Sequence, residues 1–274
     1  MGRTQEKGTA NTDAAAGLLV FTGEGGDADA AAALAARLGA AAAPPDPGAG
    51  YAGPVLRFCA DGVSLAAGGQ TLRGDFTRML PRLRPGNLPH ELVVRAAKPK
   101  DAGRTPTAFD ATAGLGEDSL LLAAAGFAVR LCEYNPVVAA LLRDALRRAA
   151  GVPALAAAVG RMTLEEADSL TALPLLREPP DVILLDPMFP ARQKSALVKK
   201  KLQLLQQLER PCGDEGALLD AALAAGARRV IVKRPLRGPC LAGRRPDYAL
   251  EGKIIRFDCY VRGREGEPAD GEPV

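Results

Sequence analysis

The stretch Thr107-Ala-Phe-Asp-Ala-Thr-Ala-Gly-Leu-Gly-Glu-Asp-Ser119 decides the fold. It reads as a strand over Thr107–Asp110, a loop carrying Gly114 and Gly116, and the opening of a helix over Asp118–Ala125. Downstream the same alternation repeats. Ala128–Glu133 is predicted as a strand, and Pro136–Ala150 as a long helix with proline in its first turn, where the missing N–H costs nothing. Further strands are predicted at Arg161–Ala167, Asp181–Leu185, Arg229–Val232 and Lys253–Val261. Strands and helices alternating at this spacing imply βαβ units and an α/β domain built on a mostly parallel sheet. No internal repeat is visible.

Upstream the pattern differs. Residues 1–16 are small and polar and are expected to be disordered. A short strand at Gly17–Phe21 precedes an Ala-rich helix over Asp27–Leu38, with Gly39 as its cap. After a Pro/Gly loop, Pro54–Cys59 and Val63–Leu65 form a hairpin around Asp61-Gly62, a favoured turn pair. A helix begins near Pro89. The expected organisation is a small α+β unit over 1–78, a larger domain over 79–262, and an acidic, disordered tail over 263–274.

Composition narrows the chemistry. With His90 as its one histidine, and with Cys59, Cys132, Cys212, Cys240 and Cys259 scattered and free of any C-x-x-C pair, the chain offers no zinc site. His90 is expected at a helix start as a surface or packing residue, and Cys132 and Cys259 as packing residues in strands. The odd cysteine count suits a reducing compartment. No leader-like or membrane-spanning run is present, so a cytoplasmic location is expected, with no membrane partner and no metal. The net charge is +3, yet from Arg192 to Arg245 thirteen Lys or Arg face four Asp or Glu. That surplus reads as a footprint for a phosphate backbone or as a solvated helix face.

The loop after the first strand of the domain lets a ligand approach backbone amides at a helix N-terminus. Glu133, nineteen residues beyond Gly114, is placed to accept hydrogen bonds from a ribose diol, as in dinucleotide and adenosyl sites alike. Two features favour the adenosyl ligand. Ser119 stands where a dinucleotide fingerprint has its third glycine, and Asp110, Glu117 and Asp118 surround the helix start. Acids there repel a pyrophosphate and attract the cationic sulfonium and ammonium of S-adenosylmethionine (SAM), although an acid in a first helical turn also serves the helix dipole. Asp168-Ser169, after the third strand, is placed to contact an adenine edge or simply to cap a helix.

Asp181-Val-Ile-Leu-Leu185 reads as a buried strand, and Asp186-Pro187-Met188-Phe189 follows at its carboxyl end. A nucleobase amine needs an acceptor for its N–H, a rigid turn exposing a carbonyl, and a flat surface for the ring. Asp186, Pro187 and Phe189 supply these as candidate catalytic residues, though an Asp-Pro turn is also an ordinary strand ending. Arg192, Lys194, Lys199, Lys200 and Lys201 are candidate RNA contacts, with Lys233 and Arg234 at a neighbouring strand end.

Four blocks, D-A-T-A-G-L-G-E-D-S (110–119), E-Y-N-P-V-V-A-A-L-L (133–142), D-S-L-T-A-L (168–173) and D-P-M-F-P-A-R-Q-K-S-A-L-V-K-K (186–200), closely resemble the RsmJ family. The fourth block is the specific one, and the match covers roughly residues 70–260. The resemblance implies a class I methyltransferase fold with a seven-stranded sheet ending in an antiparallel hairpin. It also implies SAM as donor, and as substrate the N2 amine of a guanine in small-subunit ribosomal RNA, free or within the subunit. The implied cofactor contacts fall on Glu117-Asp118, Glu133-Tyr134, Asp168-Ser169 and Asp186. The family usually has Arg where this chain has Glu117, so a side-chain contact there is in question and a backbone contact is not. An N6-adenine or N4-cytosine methyltransferase, a non-catalytic RNA-binding protein and a nicotinamide-dependent oxidoreductase stand as the alternatives.

Overall fold

The computed structural model describes residues 17–43, 51, 53–97, 103–187 and 215–262. Phe189, Arg192, Lys194, Lys199, Lys200, Lys201 and both chain ends lie outside the described residues.

The chain forms two compact units, and the boundary falls after Gly74 rather than after residue 78. The first unit holds a five-stranded sheet, order β2-β1-β3-β4-β5, from β1 (Leu19–Thr22), β2 (Ala41–Ala42), β3 (Val55–Cys59), β4 (Gly62–Ala67) and β5 (Gln70–Leu72). Helix α1 (Ala28–Leu38) links β1 to β2, which pair in parallel. Its start is fixed by the Asp27 carboxylate, which accepts from the Ala30 amide at 2.9 Å, and its end by Gly39 at φ 61°. Ala31, Leu34 and Ala35, one apolar stripe, turn inward. The hairpin expected at Asp61-Gly62 joins β3 to β4. Asn135–Asp144, expected in the larger domain, groups with this unit, where the Asp144 carboxylate accepts from the Val63 amide at 2.9 Å.

The second unit carries short helices α2 (Leu80–Leu83) and α3 (Leu92–Ala97), then β6 (Thr107–Asp110), α4 (Glu117–Ala124) and β7 (Ala128–Glu133). After α5 (Pro136–Ala150) come α6 (Pro153–Val159), β8 (Met162–Glu166), α7 (Ser169–Ala172), β9 (Val182–Leu185) and α8 (Glu215–Ala224). Strands β10 (Arg229–Pro235), β11 (Tyr248–Glu251) and β12 (Ile255–Val261) close the sheet. The order is β11-β12-β10-β9-β6-β7-β8, with β12 antiparallel to both of its neighbours and the other pairs parallel. This is the seven-stranded arrangement with an antiparallel last hairpin that the resemblance implies.

Helices cover both faces. Ile183, Leu185, Val230 and Val232 pack with Leu218, Leu219 and Ala222 of α8 on one face, while α3 and α4 lie against the sheet's other strands. Burial on both faces explains why β9 is apolar at every position instead of alternating.

Several boundaries differ from expectation. The helix near Pro89 starts at Leu92, because Leu88–His90 forms a separate 3-10 turn carrying His90 on the surface. β10 runs on to Pro235, held to its end by pairing with β12. β2, β5, α2, α6, α8 and β11 lie outside the elements expected from the sequence.

Asp181 stands just ahead of β9 rather than inside it. Its buried carboxylate accepts from the Thr107 amide at 2.9 Å and from both terminal nitrogens of Arg104 at 2.9 and 2.7 Å, aligning the starts of β6 and β9. Burial alone would raise its pKa, but these donors outweigh it and the net shift is downward. A lowered carboxyl pKa adds stability above its unfolded value and loses it as the pH falls through the folded one. Asp181→Ala is expected to cost about 1–3 kcal/mol, the scale for leaving part-buried donors unpaired. Urea unfolding at neutral pH checks this, and the deficit should shrink toward pH 3.

Candidate active site

The switch point of the sheet lies between β6 and β9. From β6 the chain winds outward through β7 to β8, then returns to β9 on the other side. In such sheets the carboxyl edge at the switch is where ligands bind. The Ala111 amide donates to the Leu184 carbonyl at 3.0 Å, and the Asp186 amide donates to Thr112 Oγ1 at 2.6 Å. The loop after β6 and the turn after β9 are thereby fixed to each other.

Within that loop, Gly114 (φ 54°) and Gly116 (φ 74°) hold left-handed conformations that a side chain disfavours. A β-carbon at Gly114 would meet only the Thr112 carbonyl, 4.0 Å away, so the loop is open on that side to a ligand approaching its backbone. Glu133, at the end of β7, is buried and accepts from the Gly114 amide at 2.8 Å. The acid expected for a diol therefore also shapes the glycine loop. Tyr134, next in sequence, is 43% exposed. Asn135 caps α5, its Oδ1 accepting from the amides of Val137 at 2.9 Å and Val138 at 3.3 Å.

Asp110 turns inward. It is 3% exposed and accepts from the Thr112 amide at 3.1 Å and from Ser119 Oγ at 2.6 Å. These bonds give it a role in bracing the loop, beside the one expected of it toward a cationic ligand. Ser119, read as a missing glycine, is present for that bond. Burial pushes the Asp110 carboxyl up to about 7, with the bonds from Ser119 and Thr112 opposing and the charges of Asp118 and Asp186 adding to it. Asp168 caps α7, accepting from the Leu170 amide at 2.9 Å, and the buried Ser169 hydroxyl donates to the Ala111 carbonyl. The pair so placed secures the third strand end to the loop, as the capping alternative foresaw.

Asp118, Lys233 and Asp186 form a charged triad. Lys233 Nζ lies 2.7 Å from Asp118 Oδ2 and 2.9 Å from Asp186 Oδ2. Parallel pairing sets Val232 opposite Leu185, so the residues that follow each meet at the carboxyl edge. Burial works against the Lys233 ammonium, but the two carboxylates outweigh it and hold its pKa well above the ordinary lysine value. Lys233 is thus engaged by carboxylates rather than presented to a phosphate backbone. Arg234 is 2% exposed, its Nε donating to the Pro239 carbonyl at 2.8 Å, and it too is withdrawn from the expected RNA contacts. Beside it, Arg256 pairs with Asp258 at 2.7 Å and donates to the carbonyls of Pro235, Leu236 and Gly238, fixing the loop after β10.

Chemically, the edge offers open backbone at a glycine loop, carboxylates at Glu133 and Asp118 for hydroxyls and positive charge, and a further carboxylate at Asp186. Its side chain keeps 37% of its surface exposed. Cys132 and Cys259 are buried, and among the described residues no group of His, Cys, Asp and Glu is disposed to hold a metal.

Comparison with known proteins agrees with this geometry. A model of a SAM-dependent methyltransferase family matches residues 63–262. A protein named ribosomal RNA small subunit methyltransferase J, from Thioalkalivibrio sulfidiphilus, is 48% identical over 179 residues, covering 65% of this chain and 70% of its own length. The chain belongs to the RsmJ family of SAM-dependent methyltransferases. A member of the same name from Aeromonas salmonicida is 51% identical over 161 residues, 58% of this chain and 65% of that one. The crystal structure of a SAM-dependent methyltransferase from Neisseria gonorrhoeae superposes with a TM-score of 0.70 at 30% identity, covering 93% of this chain and 100% of that one. The fold is class I, and SAM is the cofactor. No helix among the described residues is long and apolar enough to cross a membrane.

Asp110 gives this site a pH signature. A carboxyl raised to about 7 in the fold, against an ordinary 3.8, binds a proton that the unfolded chain has released. Stability contributed by this group should therefore fall as the pH rises from about 4 to 7, by ~1.4 kcal/mol per pH unit at most. Asp110→Asn can keep the bond from the Thr112 amide and reverse the other, its amide donating to the Ser119 hydroxyl, and should flatten that slope. Unfolding free energies at several pH values, native against variant, measure it.

Proposed function

We propose that the chain transfers a methyl group from SAM to the exocyclic N2 amine of a guanine in small-subunit ribosomal RNA, in the cytoplasm. The observation that carries this reading is the placement of Asp186-Pro187 at the carboxyl end of β9, fixed through Thr112 to the glycine loop. The relatives' shared name, ribosomal RNA small subunit methyltransferase J, supports the substrate class.

The backbone at Gly114 and Gly116, with Glu133, Tyr134, Glu117, Asp118, Asp168 and Ser169 around it, would hold the cofactor. Glu133 would accept from the ribose hydroxyls, and Asp118 would face positive charge. Bound there, SAM supplies an electrophilic methyl group on a sulfonium. The guanine amine is a weak nucleophile because its lone pair is delocalised into the ring. Asp186 and the Pro187 carbonyl would accept its two N–H bonds, localising the lone pair and aiming it. As the N–C bond forms and the methyl–sulfur bond breaks to leave a neutral thioether, the nitrogen would gain positive charge and shed a proton, and the Asp186 carboxylate would stabilise the one and receive the other. Phe189 would stack on the base, a contact worth about 1–3 kcal/mol. Arg192, Lys194 and Lys199 to Lys201 would hold phosphates.

Asp186→Ala should reduce single-turnover methyl transfer to small-subunit RNA from a deletion strain by at least about 10²-fold, the scale of losing one oriented polar group. Its melting temperature should stay near the native value. Near-normal turnover would rule the mechanism out. Mass spectrometry of the nucleosides identifies the base, and N6-methyladenosine or N4-methylcytidine in place of N2-methylguanosine would overturn the substrate assignment. Replacing Lys199, Lys200 and Lys201 with Ala should also flatten the dependence of log binding constant on log salt by about 2, at ~0.7 per phosphate contact on single strands. Filter binding across 50 to 300 mM salt, roughly the range where such slopes are read, tests this.

A further inference from the structure

We propose that Lys233 is a positioning residue for methyl transfer, whose ammonium grips Asp118 and Asp186 together and keeps Asp186 charged and oriented toward the amine. The inference rests on the assignment of Asp186 as the amine acceptor and deepens it.

The geometry is that of a single cation shared by two acids from different parts of the site. Asp118 lies in the first turn of α4, at the glycine loop, and Asp186 lies at the end of β9. Lys233 Nζ reaches both within 3 Å, at 2.7 and 2.9 Å. Side-chain exposures of 16% for Asp118, 27% for Lys233 and 37% for Asp186 put the acid assigned to the substrate on the open side of the triad. The ion pair engages Asp186 through Oδ2.

The charges facing Asp186 make the lysine necessary. Burial disfavours its charged form, and Asp118 on α4 repels it, as does Asp110 on β6 when ionised; Lys233 and Arg234, both on β10, oppose them. The net displacement of the Asp186 carboxyl is upward even with the lysine in place. An opposite charge at this range is generally worth about 1–3 pH units. Without Lys233 the Asp186 carboxyl would move further upward, and its protonated form offers the amine a donor where an acceptor is required.

Two measurements on the full chain test this. Carbon-13 NMR of the Asp186 carboxyl, assigned by its loss in Asp186→Asn, follows its titration without RNA. Lys233→Met should raise the midpoint by about one pH unit or more, Lys233→Arg should leave it near the native value, and Asp118→Asn should lower it. Single-turnover transfer to small-subunit RNA should show the acidic limb of the rate profile displaced upward by the same amount in Lys233→Met and restored in Lys233→Arg. An unmoved midpoint in a Lys233→Met protein that melts cooperatively overturns the proposal, whatever the substrate. A moved midpoint with an unmoved rate profile overturns the link to transfer. Absence of transfer by the native protein at every pH is instead a failure of the substrate assignment, and the NMR midpoints then still decide whether Lys233 holds Asp186 charged.

Discussion

The pairing of β6 with β9 converts two distant pieces of chain into one reactive edge. Thr112 and Asp186 are 74 residues apart, yet a hydrogen bond of 2.6 Å joins them because the strands that carry them lie side by side and in register. Parallel neighbours can be no closer in sequence than a crossover allows, so every component of this edge arrives by a separate βαβ excursion. The Asp181 clamp fixes the starts of these two strands, and the Ala111 and Asp186 amides fix their ends. The edge is rigid because it is braced at both extremities.

Rigidity here is set against charge. Asp110, Asp118, Glu133 and Asp186 all belong to this one edge of the sheet, and neighbouring negative charge adds to the upward shifts of Asp110 and Asp186. The fold relieves the crowding in three ways. Burial favours the neutral form of Asp110, Glu133 is tied to an amide, and Asp118 and Asp186 share a lysine. The residual negative character suits a cationic ligand.

Much of this edge was legible in the sequence. Thr107–Asp110, Ala128–Glu133 and Pro136–Ala150 form with the boundaries that apolar pattern and proline position indicate. The apolar signal of the strands is strong because both faces of the sheet are covered. β11 was missed because alternately half-buried and exposed residues at a sheet's rim leave little hydrophobic signal. α6 was missed because Pro153–Val159 is largely alanine, which supports a helix without marking a face. The roles of Lys233 and Arg234 were unreadable for another reason. A basic residue near a strand end looks the same whether it meets solvent or an acid 115 residues away, and only the register of β10 on β9 decides between them. The bond from Ser119 to Asp110 is hidden for the same reason, since a serine in place of a fingerprint glycine does not announce itself as a donor.

Arg256 holds the loop after β10 chiefly through main-chain oxygens, those of Pro235, Leu236 and Gly238, with a longer contact to the Cys240 thiol. Its carbonyl contacts are indifferent to side-chain identity. Exposed loop residues such as Arg237 can be exchanged without releasing the backbone, while Arg256 and Asp258, sunk in β12, hold its path. Shape and surface chemistry are thereby encoded at separate positions, and this rim of the sheet can be rewritten by evolution or by design while the scaffold beneath it stays unchanged.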